Sequence, residues 1–396
     1  MKKIRLAAFN TQPPHLYFGG VERRIIETAK SLYNKVDTSV YSGTKAGFRK
    51  PTSINGVHII PCFSTDTLFP VDNWFFNNTL AGAVDTIKAD VYEAHAVSGY
   101  GFLNTLKKRD AKKPFIQTVH GVLADEYMQS LQRGSLSSRA KLANIIMWKL
   151  SKLEEETAKN ATLTVTISRY SSQKIIQFYG VDKTKIRIVP NGVDTQKFKP
   201  LKGLETFKHK IGIDSKFCVL FVGRLIPRKG LNFLVEAAKH IVKEYPQTLF
   251  LIVGDGPLKG HLIIQLEKMN LSSNFVLLGD VNEKLLSALY NCADVFVLPS
   301  IQEGQGIALL EAQATAKPVV AFNVGGVPEA VLDKETGLLT QPSSGELAEA
   351  VIKLLANWSL REKMGSIGRK FVVDNFSWDV CSQKLFQVYQ EAIAAP

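Results

Sequence analysis

Two glutamates with glycines between them lie in the segment Glu303–Glu311, which follows an apolar run that ends at Ser300. Gly304 and Gly306 let the backbone turn sharply before a helix begins. Free amide groups at the start of a helix, together with the helix dipole, bind anions such as phosphate. A carboxylate accepts hydrogen bonds from neighbouring hydroxyl groups of a sugar or a ribose. The spacing therefore predicts a phosphate site with one hydroxyl-binding carboxylate before it and another beyond it.

Both carboxylates also have a structural interpretation. Glu303 would cap the helix at its amino end, and Glu311 would be a solvated residue inside it. The glycines and the position after a predicted strand favour the binding interpretation, because ligands of open parallel sheets lie beyond the carboxyl ends of the strands.

Two cations follow the first predicted strand of the second half of the chain. Arg224 and Lys229 lie in the loop that leads into the predicted helix Leu231–Glu244. Both side chains are expected at the carboxyl edge of the sheet, where they would neutralise a diphosphate leaving group. The alternative is that they are ordinary basic residues of an exposed loop.

The first half of the chain offers backbone amides and a histidine. Gly19 and Gly20 follow the first predicted strand and open a helix, so their amides can approach an anion. They do not form a G-x-G-x-x-G pattern, which disfavours a nicotinamide dinucleotide. His120 ends another strand and can exchange hydrogen bonds with a ligand, although a lone histidine is often structural.

Several common site patterns are absent from the sequence. It has no D-x-D, no His/Cys cluster with metal-ligand spacing, no P-loop and no G-x-S-x-G. We therefore expect no metal and no cofactor, and neither an NTPase nor a serine hydrolase. No helix-turn-helix, zinc finger or RNP-like pattern occurs, so no nucleic acid partner is expected.

The elements that must position these residues appear as short apolar runs that alternate with amphipathic stretches. Strands are predicted in the first half at Lys3–Asn10, Val36–Ser42, Val57–Phe63, Asp90–Ala94, Phe115–His120, Leu163–Ser168 and Ile186–Pro190. In the second half they are predicted at Cys218–Gly223, Leu249–Gly254, Phe275–Gly279, Val295–Pro299 and Val319–Phe322. The main predicted helices are Val21–Tyr33, Leu231–Glu244, Leu258–Met269, Glu283–Asn291, Ile307–Ala316 and Leu347–Asn357. Strand–helix alternation throughout predicts parallel sheets with crossover helices, hence two doubly wound α/β domains.

The domain boundary is expected in a Lys-rich stretch without periodicity, from residue 194 to residue 214. We place the first domain at residues 1–195 and the second at residues 196–376. Residues 377–396 form a closing helix, whose apolar side chains fall roughly on one side.

The two parts of the chain differ in charge. The whole chain has 49 basic and 36 acidic side chains, a formal charge of +13. Up to Thr195 there are 27 basic and 16 acidic side chains, or +11, and the remainder has 22 and 20, or +2. A basic domain suits an anionic partner, unless its charge serves only solubility.

One basic segment of the first part also carries apolar residues. Its members are Arg139, Lys141, Leu142, Ile145, Ile146, Trp148, Lys149 and Lys152. This mixture predicts an interfacial helix on an anionic membrane surface. The alternative is a packed helix with a solvated basic face.

Composition and termini indicate a cytoplasmic globular protein. Apolar residues make up 45% and charged residues 21% of the chain, which excludes a disordered chain. The apolar stretch Ile4–Phe9 is too short for a signal peptide. The four cysteines form no C-x-x-C pair and are expected to be reduced. We therefore expect a cytoplasmic protein, either free in the cytoplasm or bound peripherally at the inner face of the membrane.

Taken together, the motifs resemble the retaining, nucleotide-sugar-dependent glycosyltransferases of family four. The most specific element is the E-x7-E pattern from Glu303 to Glu311, followed by Gly325-Gly326-Val-Pro-Glu329. Gly223-Arg224 and Arg228-Lys229-Gly230 add to it, and the resemblance covers nearly the whole chain. It implies the GT-B architecture, in which two Rossmann-like domains face each other across a cleft. It also implies that the closing helix crosses back onto the first domain.

The resemblance also implies roles for single residues. Arg224 and Lys229 should hold the donor diphosphate, and Glu311 should bind the ribose. Glu303 should bind the donor sugar beside the backbone of Gly304, Gln305, Gly306 and Ile307. Gly19 and Gly20 should approach the phosphates, and His120 should contact the sugar at the transfer centre.

Three residues depart from the usual family pattern. Gln305 replaces an aromatic residue, Gly121 an aspartate and Ala316 a glycine. None of these changes removes a charged role, so activity is still expected.

The implied activity is metal-independent transfer of a sugar, with retention, from a UDP- or GDP-linked donor to a hydroxyl group. A lipid-linked or cell-surface glycan precursor suits the basic first domain as acceptor. A soluble α-glucan or sucrose-type synthase on the same fold is the alternative, and a non-catalytic basic binding protein is a remote one.

Overall fold

The computed structural model describes residues 2–17, 19–66, 70–131, 138–213 and 216–395, with the backbone alone for residues 138–140. The chain divides into two compact units. Met1–Asn191 and Trp378–Pro396 form the first unit, and Gly192–Ser377 forms the second. The divisions thus fall close to the predicted ends at residues 195 and 376. Asp214, at the end of the predicted boundary stretch, lies outside the described residues.

The first unit contains an eight-stranded sheet. Its strands are β1 (Ile4–Asn10), β2 (Val36–Gly43), β3 (Thr52–Ile54), β4 (Val57–Cys62), β5 (Val91–His95), β6 (Phe115–Val119), β7 (Leu163–Thr166) and β8 (Ile186–Ile188). The order is β3-β4-β2-β1-β5-β6-β7-β8. All neighbours are parallel except β3 and β4, so the prediction of parallel strands throughout is wrong at this edge. Asn55 and Gly56 both have positive φ and form the two-residue turn of this hairpin.

Helices cover both faces of this sheet. They include α1 (Gly20–Ser31), α2 (Val71–Gly82), α3 (Tyr100–Lys108), α4 (Leu123–Leu131), α5 (Ser138–Asn160) and α6 (Arg169–Tyr179). Leu6 and Ala8 of β1 enter one core with Ile25 of α1. Ala7 and Phe9 enter another with aromatic residues of α2 and α3. Burial on both faces explains why the strands read as nearly continuous apolar runs.

The second unit contains a six-stranded parallel sheet. Its strands are β9 (Cys218–Val222), β10 (Leu249–Val253), β11 (Phe275–Gly279), β12 (Val295–Leu298), β13 (Val319–Phe322) and β14 (Gly337–Thr340). The order is β11-β10-β9-β12-β13-β14. Its helices include α7 (Glu205–Lys210), α8 (Leu231–Glu244), α9 (Lys259–Lys268), α10 (Glu283–Cys292), α11 (Ile307–Ala314), α12 (Val327–Ala330), α13 (Ser344–Ala356) and α14 (Trp358–Phe376).

The last helix, α15 (Trp378–Ala394), belongs to the first unit. Its predicted apolar side is confirmed, because Trp378, Leu385 and Tyr389 are buried. The helix packs against α1 and β5. The guanidinium Nε of Arg187 donates to Glu391 at 2.8 Å and ties the helix to β8. Among the described residues, no helix is both long and apolar enough to cross a membrane.

Candidate functional site

In the second unit, the predicted site residues follow β9 and β12, which are neighbours in the sheet. The pairing is parallel, so both strands end at the same edge. The loop after β9 contains Arg224 and a single 3₁₀ turn, Pro227–Lys229. The loop after β12 contains Glu303 and leads into α11.

An ion pair joins these two loops. Lys229 Nζ lies 2.6 Å from Glu303 Oε2, and both side chains are largely buried. Arg228 Nη1 lies 3.9 Å from the same oxygen. Burial acts to raise the pKa of Glu303, but the charges of Lys229 and Arg228 outweigh it and hold this pKa below its usual value. Glu303 is therefore an ionised carboxylate at neutral pH.

Backbone contacts hold the loop of Lys229 in place. The amide of Ile301 donates to the carbonyl of Arg228 at 2.9 Å. Gly230 has a φ of +66°, and an added Cβ would lie 1.9 Å from the Pro299 carbonyl oxygen. Glycine at this position therefore lets the two loops approach closely enough for the ion pair.

The double glycine after β13 holds Glu303 from the other side. The amide of Gly326 donates to the Glu303 carbonyl at 2.9 Å. Gly325 has a φ of +57°, and an added Cβ would lie 2.1 Å from the same carbonyl oxygen. Two adjacent glycines allow either a tight turn or a close approach of the backbone to a ligand. In the structure they pack against the backbone of Glu303.

The glycine turn leads directly into α11. Gly306 occupies the N-cap with a φ of +88° and has no side chain with which to cap the helix. The interpretation of Glu303 as a capping acid is wrong, because its carboxylate pairs with Lys229. Gln305 is 2% exposed, and Gly306 is buried as well. Gly304 and Ile307 are the residues of this turn that are partly exposed.

Glu311 lies inside α11 and is 3% exposed. The hydroxyl of Tyr290 in α10 donates to its Oε2 at 2.8 Å. The interpretation of Glu311 as a solvated helix residue is therefore wrong. Tyr290 orients this carboxylate, and no sequence pattern singled it out.

Arg224 differs from Lys229 in its surroundings. Its side chain is exposed, and among the described residues it makes no hydrogen bond or ion pair. The structure therefore brings Lys229 and Arg228 to Glu303 and leaves Arg224 in solvent.

In the first unit, Gly19 is the N-cap of α1 and Gly20 is its first residue. Both are exposed. The carboxylate of Glu22 folds back towards Gly19, where an added Cβ would lie 2.3 Å from Oε2. Asn10 Nδ2, at the end of β1, donates to Glu22 Oε1 at 3.1 Å. This bond ties the start of the helix to the carboxyl end of the central strand.

His120 is the first residue after β6, and its ring contacts a second histidine. Its Nε2 lies 3.1 Å from Nδ1 of His95, the last residue of the neighbouring strand β5. The two rings stack with centroids 5.3 Å apart. Burial, followed by the charges of His95 and Arg24, lowers the pKa of His120 well below its usual value. The ring is therefore neutral at pH 7.

Sequence reasoning missed His95 and the buried Glu93 beside it. A signal was present, because polar residues alternate at the end of a strand that is buried on both faces. Such residues need polar partners, and the carboxyl edge of the sheet supplies them.

Two family models match most of the chain. Residues 18–197 match "Glycosyltransferase Family 4" and residues 205–371 match "Glycosyl transferases group 1". An uncharacterized glycosyltransferase of Methanocaldococcus jannaschii is 28% identical over 353 residues, which cover 86% of each chain.

Two further relatives carry substrate names. A UDP-Gal:alpha-D-GlcNAc-diphosphoundecaprenol alpha-1,3-galactosyltransferase of Escherichia coli is 34% identical, over 60% of this chain and 59% of that protein. A GDP-mannose-dependent alpha-(1-6)-phosphatidylinositol monomannoside mannosyltransferase of Mycolicibacterium smegmatis is 30% identical, over 58% of this chain and 62% of that protein. The chain thus spans about three fifths of the length of these two relatives.

Solved structures show the same fold. Sucrose-phosphate synthase from Thermosynechococcus elongatus superposes with a TM-score of 0.83 at 20% identity and covers both chains completely. Anabaena HepE, in complex with UDP and glucose, gives a TM-score of 0.78 at 19% identity, over 98% of this chain and all of the other. The chain therefore belongs to the family 4 glycosyltransferases and has the GT-B fold.

Proposed function

We propose that this enzyme transfers a sugar, with retention of configuration and without a metal ion, from a UDP- or GDP-linked donor to a hydroxyl acceptor. The observation that carries the proposal is the Lys229–Glu303 ion pair beside the Gly304–Ile307 turn. It places a cation, a carboxylate and the start of a helix at one sheet edge. The cation and the helix start can bind the phosphates of a sugar diphosphate, and the carboxylate can bind its hydroxyl groups.

The phosphates are assigned to Lys229, Arg224 and the amides of the Gly304–Ile307 turn. Cleavage of the bond between sugar and phosphate leaves negative charge on the diphosphate, which these donors stabilise. Arg224 is exposed and is thus able to turn towards a ligand. In the first unit, Gly19 and Gly20 offer further backbone amides to a phosphate.

The two glutamates are assigned to hydroxyl groups. Glu303 keeps one oxygen on Lys229 and can accept hydrogen bonds from the donor sugar with the other. Glu311 is oriented by Tyr290 and is assigned to the ribose. His120 is neutral and is assigned to a hydroxyl of the sugar near the transfer centre.

Retention is proposed through substitution on the front face of the sugar. The bond between the anomeric carbon and the phosphate oxygen breaks, and a bond to the acceptor oxygen forms on the same side. The acceptor proton passes to the leaving phosphate. Glu303 does not serve as nucleophile in this scheme, because it stays paired with Lys229.

The acceptor is proposed to be a lipid-linked or cell-surface glycan precursor. Two relatives have names that include a diphosphoundecaprenol and a phosphatidylinositol acceptor. On α5, the side chains of Leu142, Ile145 and Trp148 are about half exposed. The helix α5 packs against α3, α4 and α6, and these three apolar residues stay exposed beside those contacts.

Basic residues share this exposed part of α5. Lys141 and Lys149 are exposed, whereas the side chain of Arg139 lies outside the described residues. Apolar and basic side chains together support contact with an anionic membrane surface. Flotation with anionic vesicles tests this proposal. We expect salt-sensitive binding that Trp148→Ser weakens and that Trp358→Ser, at an exposed tryptophan of the second unit, leaves intact.

Thermal unfolding with UDP-, GDP- and ADP-linked sugars tests the donor assignment. A ligand that binds only the folded state raises the melting temperature. The matching donor should raise the melting temperature of the wild type and should raise that of Lys229→Ala much less. Each shift is measured from the melting temperature of the same protein without ligand. NMR of the product's anomeric proton then tests retention, and an inverted linkage would reject the proposed mechanism.

A further inference from the structure

A chain of buried polar groups in the first unit leads from the last helix to His120. Tyr389 of α15 donates its hydroxyl to Glu93 Oε2 at 2.6 Å. Thr118 of β6 donates to Glu93 Oε1 at 2.6 Å. Glu93 and His95 are each 2% exposed. They lie two residues apart in β5 and therefore on the same face of this strand. Both carboxylate oxygens of Glu93 are therefore acceptors that face the inside of the unit.

The carboxylate of Glu93 determines which nitrogen of His95 carries the proton. His95 Nε2 lies 3.9 Å from Glu93 Oε1 and has no hydrogen-bond partner among the described residues. A lone pair at this nitrogen would face the negative oxygen, whereas an N–H group is attracted to it. The favoured tautomer of His95 thus has its proton on Nε2 and a lone pair on Nδ1.

This tautomer fixes the neighbouring ring. Burial lowers the pKa of His95 and His120, so both are neutral at pH 7 and each carries one ring proton. His95 Nδ1 accepts, so His120 Nε2 must donate across the 3.1 Å contact. The lone pair of His120 is then on Nδ1, a nitrogen that bonds no other described residue.

We propose that Glu93 and His95 are positioning residues that hold His120 as the tautomer whose Nδ1 accepts a hydrogen bond from a sugar hydroxyl. This inference rests on the proposed role of His120 in glycosyl transfer. Tyr389 extends the arrangement to the end of the chain, because it orients the carboxylate from α15. The opposite tautomer would present an N–H group to the ligand and would suit a phosphate oxygen instead.

The tautomer can be measured without any substrate. Nitrogen-15 NMR of histidine rings separates a protonated from an unprotonated nitrogen, and a His120→Gln variant assigns the signals. We expect His120 with a proton on Nε2 and none on Nδ1. A proton on Nδ1 of His120 in the wild type would overturn the proposal, whether or not the protein transfers a sugar.

Kinetics test the positioning role separately. In His95→Asn the amide can still accept from His120, whereas His95→Leu removes the acceptor. We expect kcat of His95→Leu to fall about tenfold or more, because a catalytic histidine held in the wrong tautomer loses activity. The KM for the donor should change little. The kcat of His95→Asn should stay closer to that of the wild type. Equal kcat for the two variants, per folded molecule, would contradict the role.

Tyr389→Phe removes the hydrogen bond to Glu93, and Tyr92→Phe is its matched control. Tyr92 is a buried tyrosine of the same strand whose hydroxyl donates to the Ile87 carbonyl at 3.0 Å. We expect Tyr389→Phe alone to change the His120 tautomer signals and lower kcat. If the wild type shows the expected tautomer but transfers no sugar from any donor, the proposed function fails and the tautomer assignment stands.

Discussion

Lys229 and Glu303 form a 2.6 Å ion pair although they are 74 residues apart and follow different strands. The cation assigned to the donor phosphate is therefore already bound to the carboxylate assigned to the donor sugar. This arrangement fixes both side chains before a ligand arrives, which reduces the cost of ordering them on binding.

Removal of either partner should affect both stability and turnover. Lys229→Ala leaves a largely buried carboxylate without its closest cation, which should cost about 3 kcal/mol of unfolding free energy. Turnover should fall about 100-fold or more, because a donor to the leaving group is lost. Chemical denaturation and steady-state kinetics measure the two effects.

A double variant separates these effects. Lys229→Met with Glu303→Gln removes both charges, and we expect it to recover most of the lost stability while it remains inactive. Recovery of activity together with stability would show that the pair has only a structural role.

Gly325→Ala tests the contact that holds Glu303. An added methyl group would lie 2.1 Å from the Glu303 carbonyl oxygen in a left-handed backbone conformation. We expect a loss of about 2 kcal/mol or more in unfolding free energy and weaker donor binding by calorimetry. Gly260→Ala is the control, because its Cβ would meet nothing within 4 Å. Equal stability of the two variants would refute the packing argument.

Arg224→Ala should show the opposite pattern to Lys229→Ala. The side chain is exposed and unpaired among the described residues, so unfolding free energy should change by less than about 0.5 kcal/mol. Donor KM should rise about tenfold, because a charged hydrogen bond to phosphate is lost. Lys239→Ala, at an exposed cation of α8, should leave KM unchanged. An unaltered KM in Arg224→Ala would remove this residue from the site.

The raised pKa of Glu154 makes the stability of the folded protein depend on pH. Burial raises its pKa to about 7, against hydrogen bonds from Tyr179 and the Leu123 amide that lower it. Between its ordinary value of 4.5 and about pH 7 the folded state holds a proton that the unfolded chain has lost. The stability contributed by this group is therefore present below pH 4.5 and declines as the pH rises to 7.

Glu154→Gln keeps an uncharged side chain at all pH values. We expect its melting temperature, relative to wild type, to increase as the pH rises from 5 to 8. In Glu267→Gln, at an exposed position of α9, the melting temperature should change with pH as it does in the wild type. The same pH dependence of the melting temperature in Glu154→Gln and the wild type would contradict the raised pKa.

Strong periodicity made many elements predictable from the sequence. The helix Leu231–Glu244 and the strands Phe275–Gly279 and Val319–Phe322 have their predicted bounds. By contrast, β3 is a three-residue edge strand that sits beside its partner through an Asn-Gly turn. The helix α14 was not predicted, because Gly365 and Gly368 lower its helix propensity. A side chain does not fit at Gly365, because an added Cβ would lie 2.0 Å from the Ala316 carbonyl oxygen.

The site was predictable in position but not in its pairings. Glu303, Lys229 and His120 follow strands, as expected from the sequence, and the rule that ligands lie beyond strand ends selected all three as candidates. Which charges meet depends on strand order and on glycine contacts between loops that are far apart in sequence. For the same reason Glu93, His95 and Tyr290 emerged only from the structure.

The most direct test is a crystal structure of the protein with an intact nucleotide sugar. The proposed function predicts the diphosphate within hydrogen-bond distance of Lys229 and the amides of Gly304–Ile307, with Glu303 on the sugar and Glu311 on the ribose. A donor bound elsewhere, with the Lys229–Glu303 pair untouched by phosphate or sugar, would contradict it.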